Sequence, residues 1–268
     1  MTGRLGPTFE RLKAEGRTGL VAFVTTGFPS IEATLEAVPA LVEGGADIIE
    51  LGVPFSDPIG EGTTIQRASF RALQNGVTPE VCLNVLRKLR ANGLDVPVIL
   101  MGYYNPILAY GIDAFCRDAA EAGADGFIVV DLPPEESGPL HRACEANGLS
   151  IIYLLAPTST DERIQQVARL ASGFIYCLSL AGVTGVRDEL PESLPAFVER
   201  VRKSSGLPIA VGFGISQPKH FEAVGRIADA AVIGSAIVDL MDRTDPSQLK
   251  AKVREYAEVV TGRRGATA

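Results

Sequence analysis

Residues 47–66, DIIELGVPFSDPIGEGTTIQ, decide how the rest of the chain is read. The stretch opens as a short apolar run, Ile48-Ile49-Glu50-Leu51-Gly52-Val53, bounded by turn residues, which is the pattern of a buried strand. Glu50 stands inside that run. A carboxylate in a strand covered on both faces loses its hydration, and left unpaired it costs several kcal/mol or takes up a proton. A Glu paired with a buried Lys or Arg is the plain alternative. The residues after the run favour chemistry: Pro54, Asp57, Pro58, Gly60 and Gly62 make a stiff irregular loop carrying two more acids, Asp57 and Glu61, before Thr63-Thr64-Ile65-Gln66 begins a helix. A strand bearing a carboxylate and followed by an acidic loop is how α/β folds display acids at the carboxyl edge of a sheet.

Outward from this stretch, apolar strands alternate with helical segments. Strands are expected at 20–25 (LVAFVT), 47–53, 96–102, 126–131, 150–155 (SIIYLL), 173–179, 208–212 and 229–234. Helices are expected at 30–43, on both sides of 76–79, and at 112–121, 135–146, 161–170, 191–202, 218–225 and 246–260. Three joints share a signature: Gly45-Ala46-Asp47, Gly123-Ala124-Asp125 and Ile227-Ala228-Asp229 each enter an apolar strand. That recurrence marks repeated αβ units. Near-continuous apolar strands without a linker between them predict one domain over 1–268, a (β/α)8 TIM barrel. An extra N-terminal helix carries Leu5, Phe9 and Leu12 on one side. A doubly wound open sheet is the alternative, but Thr25-Thr26-Gly27-Phe28-Pro29 after the first strand is not a dinucleotide-binding G-x-G-x-x-G loop.

Composition narrows the function classes. The chain has 268 residues, 46 % of them hydrophobic, and a formal net charge of -7. With a pI near 5.0 and scattered basic residues, nucleic acid and anionic membrane are poor partners. No apolar run approaches the ~18 residues of a membrane span, and the first residues lack a secretory segment. Cys82, Cys116, Cys144 and Cys177 lie far apart, so neither a zinc site nor a redox dithiol is indicated, and a reducing, cytoplasmic setting is expected. The only histidines, His141 and His220, leave little room for a His-based triad or a metal site; both read as surface residues of outer helices.

On a barrel strand, Ile48, Glu50 and Gly52 share one face and Ile49 and Leu51 the other. Facing the helices, Glu50 would meet apolar side chains; facing inward near the top, it meets the mouth. Gly212-Phe213-Gly214-Ile215-Ser216 and Gly234-Ser235-Ala236 end the last two strands, where barrels bind phosphate on backbone N–H groups. Neither loop holds Lys or Arg, so oriented dipoles would do the binding. Residues 179–192, SLAGVTGVRDELPE, have the glycine-flanked composition of a lid. Asp131 closes a strand and reads as a second acid or as a turn residue before Leu132-Pro133-Pro134.

ELGVPFSDP at 50–58, TIQ at 64–66, SLAGVTG at 179–185, GFGIS at 212–216 and GSAIV at 234–238 together resemble the tryptophan synthase alpha chain family, and the resemblance extends back to VAFVTTGFP at 21–29. It implies cofactor-free retro-aldol cleavage of indole-3-glycerol phosphate into indole and glyceraldehyde 3-phosphate. It also implies a pyridoxal-phosphate beta chain as partner in an alpha2beta2 heterotetramer, contacted through Asp57 and the loop at 54–57. By motif, Glu50 matches the family's catalytic acid/base and Tyr176 the aromatic beside it. Phe23, Met101, Ile128 and Phe213 match its indole lining, Gly185, Gly214, Gly234 and Ser235 its phosphate-binding backbone, and Thr184 its lid residue. The second acid departs from the pattern: where the family has Asp in P-L-A-D-G-P, this chain has Pro58-Ile59-Gly60-Glu61-Gly62-Thr63. Glu61 keeps the charge on a longer arm, and Gly60 and Thr63 replace Ala and Pro. Two other readings stay open at this point, a non-catalytic phosphate-binding activator of a beta chain and a stand-alone lyase. A different phosphate-sugar barrel would share the glycine loops but not ELGVPFSDP.

Overall fold

A computed structural model describes residues 3–179, 190–212 and 214–263. Its strands are β1 (Gly19–Thr25), β2 (Ile48–Gly52), β3 (Val98–Gly102), β4 (Gly126–Val129), β5 (Ser150–Ile152), β6 (Leu154–Leu155), β7 (Ile175–Leu178), β8 (Ile209–Gly212) and β9 (Ala230–Ile233). All pair in parallel, in the order β5-β4-β3-β2-β1-β9-β8-β7-β6. The two ends of that order, β5 and β6, are consecutive segments separated only by Tyr153. The first pairs with β4 and the second with β7, so this one strand passes from one neighbour to the other and closes the ring. The expected strand at 150–155 is therefore present but broken at Tyr153, whose carbonyl accepts from Tyr176 N (3.1 Å) while its hydroxyl reaches Ser137 Oγ (2.6 Å). The architecture is the expected (β/α)8 barrel.

Helices follow the strands: α1 (Leu5–Ala14), α2 (Ile31–Glu43), α3 (Thr63–Gln74), α4 (Pro79–Ala91), α5 (Tyr104–Tyr110), α6 (Ile112–Ala122), α7 (Gly138–Ala146), α8 (Asp161–Leu170), α9 (Leu194–Ser204), α10 (Pro218–Gly225), α11 (Ser235–Arg243) and α12 (Leu249–Val260). Local chemistry sets several ends. Ser30 and Thr78 cap α2 and α4 through side-chain oxygens accepting from Ala33 N and Val81 N, and Gly123 ends α6 in the left-handed region at φ 93°. Two helices, α5 and α11, stand where the sequence shows no clear periodicity. In α5 the Asn105-Pro106 pair mimics a turn, yet Pro near a helix start loses only an N–H that has no helical partner anyway.

Side-chain alternation divides two apolar layers. Leu20, Ala22 and Val24 of β1, with Ile49 and Leu51 of β2, pack against the outer helices. Val21, Phe23, Ile48, Ile99, Met101, Ile128 and Ile152 fill the barrel. The N-terminal helix extends this interior: Leu5, Phe9 and Leu12 of α1 are buried in the same cluster, and the Phe9 and Phe174 rings stand 5.7 Å apart.

The repeated Ala-Asp joint has a structural cause. Asp47, Asp125 and Asp229 each precede a strand and each accept from the first free N–H of the strand beside it. The pairs are Leu20 N to Asp47 (3.1 Å), Val98 N to Asp125 (2.9 Å) and Ile209 N to Asp229 (2.8 Å). Arg17, Arg90 and Arg202 neutralise the three carboxylates. Hydrogen-bond donors that parallel pairing leaves unmet at the base of the barrel are satisfied this way.

Candidate active site

Glu50 lies in the middle of β2, in register with Phe23 on one side and Ile99 on the other. Because Ile49 and Leu51 face the helices, Glu50 faces the barrel interior, where it is 1 % exposed. Neither carboxylate oxygen finds a hydrogen-bond partner in the protein, so the plain alternative of a buried Lys or Arg partner does not hold. The only other buried side-chain oxygens left unpaired among the described residues are Thr25 Oγ1 and Thr26 Oγ1. Thr25 ends β1 with Thr26 just past it, and Thr25 pairs with Gly52, two residues beyond Glu50 on the adjacent strand. Such atoms are costly in a core and are found where a site needs them.

Burial, with the charge of Glu61 as the second cause, pushes the Glu50 carboxyl up to about 8. Glu61, partly buried on the loop after β2, is pushed up to about 7 by desolvation. Two carboxyls thus share one site, and the deeper one holds its proton longer. Neighbouring acids driven apart in this way can act as proton donor and anion at one pH.

Tyr176 on β7 is buried beside them: burial first, then the charges of Glu50 and Glu61, raise its phenol well above the ordinary value. The ring needs the bare backbone of Gly212, since a Cβ there would collide with the Tyr176 hydroxyl. Phe23 likewise lies against two glycines, with its Cζ 2.6 Å from where a Gly52 Cβ would stand and its Cβ 3.4 Å from that of Gly234. Phe23, Met101 and Ile128 are all buried in the interior cluster, Met101 and Ile128 as register partners across β3 and β4. A cleft above them is lined by Phe23, Thr25, Gly52, Phe55, Glu61, Met101 and Tyr103, among others.

Gly214 is exposed at φ +75°, a left-handed conformation that L side chains rarely adopt. Gly234 precedes α11 and Ser235 is its first residue, so the first-turn N–H groups have no partner within the helix. Thr184, Gly185 and Phe213 lie outside the described residues, as does the candidate lid except for Ser179 and its last residues, 190–192.

Three expectations change. His220 is not a surface residue: it is 3 % exposed, and its Nδ1 accepts from Ser216 N (3.4 Å) while Tyr256 Oη donates to Ser216 O (2.9 Å). It therefore supports the loop after β8, a role that a lone histidine in a helix pattern does not announce. His141 is half-buried, with Nε2 3.1 Å from Leu170 O. Asp131 lies past the end of β4, exposed, and accepts from Tyr104 N (2.8 Å), so it serves the start of α5 and is no second acid. The residue that sequence reading passed over is Tyr103, whose signal was its period-two spacing from Ile99 and Met101 on the inward face of the strand.

The raised Glu50 pKa ties stability to pH. The folded chain keeps a proton between the ordinary value of 4.5 and about 8, where the unfolded chain has released it, so stability falls as pH rises through that window. Glu50→Gln removes this residue's share of the slope and leaves that of Glu61. In denaturant melts the variant is expected to be nearly isoenergetic with wild type near pH 4.5. By about pH 8.5 it should be more stable by roughly 3–5 kcal/mol. Parallel stability curves would contradict the buried, unpaired carboxyl.

Comparison with known proteins bears on the family and the fold. A family model described as "Tryptophan synthase alpha chain" matches residues 9–265. The alpha chain of Roseiflexus sp. (strain RS-1) is 49 % identical, with 97 % of this chain and 99 % of the relative covered. A protein of Saccharomyces cerevisiae named "Tryptophan synthase" is 46 % identical over 96 % of this chain, which matches 37 % of that longer one. The structure of Mycobacterium tuberculosis tryptophan synthase superposes with a TM-score of 0.89 at 38 % identity, covering 97 % of this chain and 99 % of that one.

Proposed function

The chain belongs to the tryptophan synthase alpha chain family, and from that premise we propose how its two buried carboxyls divide the work. The protein is a carbon–carbon lyase of tryptophan biosynthesis that cleaves indole-3-glycerol phosphate to indole and glyceraldehyde 3-phosphate. Breaking the bond between indole C3 and the glycerol carbon requires three things: a proton for C3, stabilisation of the cation this creates on the indole ring, and removal of the hydroxyl proton as the aldehyde forms.

Glu50, protonated at neutral pH, delivers the proton to C3. Glu61, the more readily ionised carboxyl, accepts a hydrogen bond from the indole N–H and offsets the positive charge. As the bond cleaves, the Glu50 carboxylate takes the proton of the hydroxyl on the adjacent carbon, so the enzyme ends with the proton it began with. Phe23, Met101, Ile128, Tyr176 and Phe213 supply the apolar walls that hold the indole ring and exclude water. The phosphate is assigned to the backbone N–H groups of Gly214, Gly234 and Ser235, with Gly185 and Thr184 taken from the family motif. Every step is a proton transfer or a charge contact, so no cofactor enters here; pyridoxal phosphate belongs to a beta chain that consumes the indole.

That beta chain is the partner, in an alpha2beta2 assembly. Ile59, 85 % exposed, and exposed Asp57 stand on the same loop as Glu61, so a partner docking on 54–59 would sense the catalytic acid directly. The yeast relative, in which the matched region is part of a longer chain, agrees with an alpha unit that works joined to another. We take 1–268 as a single domain acting in the cytoplasm; no described helix is long and apolar enough to cross a membrane.

The observation that carries the reading is an unpaired Glu50 inside the barrel mouth with Glu61 above it. Its test is indole release by the isolated chain and again with a beta chain. Release in both, faster with the beta chain, is expected. Substrate binding without release in either would leave the chain a non-catalytic activator. Equal rates with and without the partner would make it a stand-alone lyase.

A further inference from the structure

Glu61 stands on a loop, 53–62, so the barrel framework does not set the direction of its carboxyl. Side chains do. At the near end of the loop, Ser69 Oγ accepts from Phe55 N (2.8 Å) and donates to Phe55 O (2.9 Å). At the far end, Gln66 Nε2 donates to the Glu61 carbonyl (2.9 Å). Tyr103, just beyond β3, touches both ends: its ring stacks on Phe55 at 5.0 Å between centroids, and its hydroxyl accepts from Gly60 N (3.0 Å).

We propose that Tyr103 is the positioning residue for Glu61, holding the Gly60 amide with its hydroxyl and Phe55 with its ring so that the next carboxyl is aimed into the cleft above Glu50. The proposal rests on the reading of Glu61 as the second acid and adds what places it. The glycine at 60 belongs to the same device. A Cβ there would lie 3.1 Å from the Tyr103 hydroxyl and 2.9 Å from Val130 Cγ1, so any side chain pushes the loop off its anchor. A tyrosine hydroxyl has one proton and two acceptor sites. With one acceptor site filled by Gly60, the proton stays on the phenol, because burial and the charges of Glu61 and Asp131 raise its pKa to about 12. The ionisable groups around Glu61 are thus Glu50 and Tyr176 on the barrel side and Tyr103, with Asp131 behind it, on the outer side. Of these, only Tyr103 is bonded to the backbone next to Glu61.

Tyr103→Phe keeps the ring and its stacking and removes only the hydroxyl; Gly60→Ala displaces the loop from the other side. Single-turnover cleavage of indole-3-glycerol phosphate, measured from pH 5 to 9 alongside substrate affinity and melting temperature, tests the idea. Both variants are expected to cleave roughly 10–100-fold more slowly, with substrate affinity within about twofold and Tyr103→Phe melting as wild type does. The acid limb of the profile, set by Glu61, is expected to move to lower pH as the freed carboxyl enters water. A Tyr103→Phe rate within twofold of wild type, or a slower rate with the acid limb unmoved, overturns the proposal. A wild-type chain that cleaves nothing overturns the underlying reading, and this one with it.

Discussion

Glu50→Gln is expected to lower indole release by about 10³–10⁴-fold while leaving phosphate binding intact. The substitution is nearly isosteric and removes no hydrogen bond, because the wild-type carboxyl oxygens have no partner in the protein. The interior packing of Phe23, Ile99 and Tyr176 around position 50 is therefore retained, and denaturant melts should show a gain rather than a loss of stability at high pH. What is lost is a transferable proton. An amide neither protonates indole C3 nor takes up the hydroxyl proton, so both halves of the reaction fail together. Binding of glycerol phosphate, followed calorimetrically, should persist because the amides at 214 and 235 are untouched. Wild-type turnover in this variant would remove Glu50 from the mechanism. In the wild type, activity should follow a bell in pH, falling below about 7 as Glu61 takes up a proton and above about 8 as Glu50 loses its own. The two titrations belong to one interacting pair, so the limbs report the pair rather than each residue alone.

Glu61→Asp is expected to cost about 10²-fold in turnover although the charge is kept. Shortening the arm by one methylene withdraws the carboxylate by ~1 Å, and a displacement of that size is enough for such a loss. The backbone does not follow to compensate, since Gly60 N is held by Tyr103 and the carbonyl of residue 61 by Gln66. Aspartate is the residue that the family motif carries here, and in this chain glycine at 60 and threonine at 63 stand beside the longer acid in place of the motif's Ala and Pro. Turnover equal to or above wild type in Glu61→Asp would show that reach is not what the loop is built around. Glu61→Gln should fall further, because the indole cation then meets a neutral dipole in place of an anion.

Most of the strand and helix order was legible along the chain, for reasons visible in particular elements. β2 shows apolar residues on both faces with one acid among them, and a parallel strand covered on both sides has no other way to read. The N-terminal helix showed its buried stripe as Leu5, Phe9 and Leu12, and all three are buried. Where the reading slipped, local signals conflicted with tertiary ones. Asp131 looked like a strand-end acid because its hydrogen bond to Tyr104 N spans a loop that the local pattern does not show. His220 looked exposed because its polar ring was read apart from Phe221 and Val224, whose buried stripe on the inner face of α10 it shares, and its bond to Ser216 N reaches a loop that the local pattern does not show.

By itself the sequence determined the repeating αβ plan, the inward face of Glu50 and the family, since each of these is carried by spacing and motifs within separate short stretches of the chain. Only the tertiary structure decided that the strand at 150–155 breaks at Tyr153 so that β5 and β6 close the ring, that the Tyr176 ring needs a bare backbone at Gly212, and that Tyr103 anchors the loop of Glu61. The physical reason is that a hydrophobic period reports which side of an element turns away from water. Which residues from distant elements then meet is set by register and ring closure, and those exist only once every strand has found its neighbour.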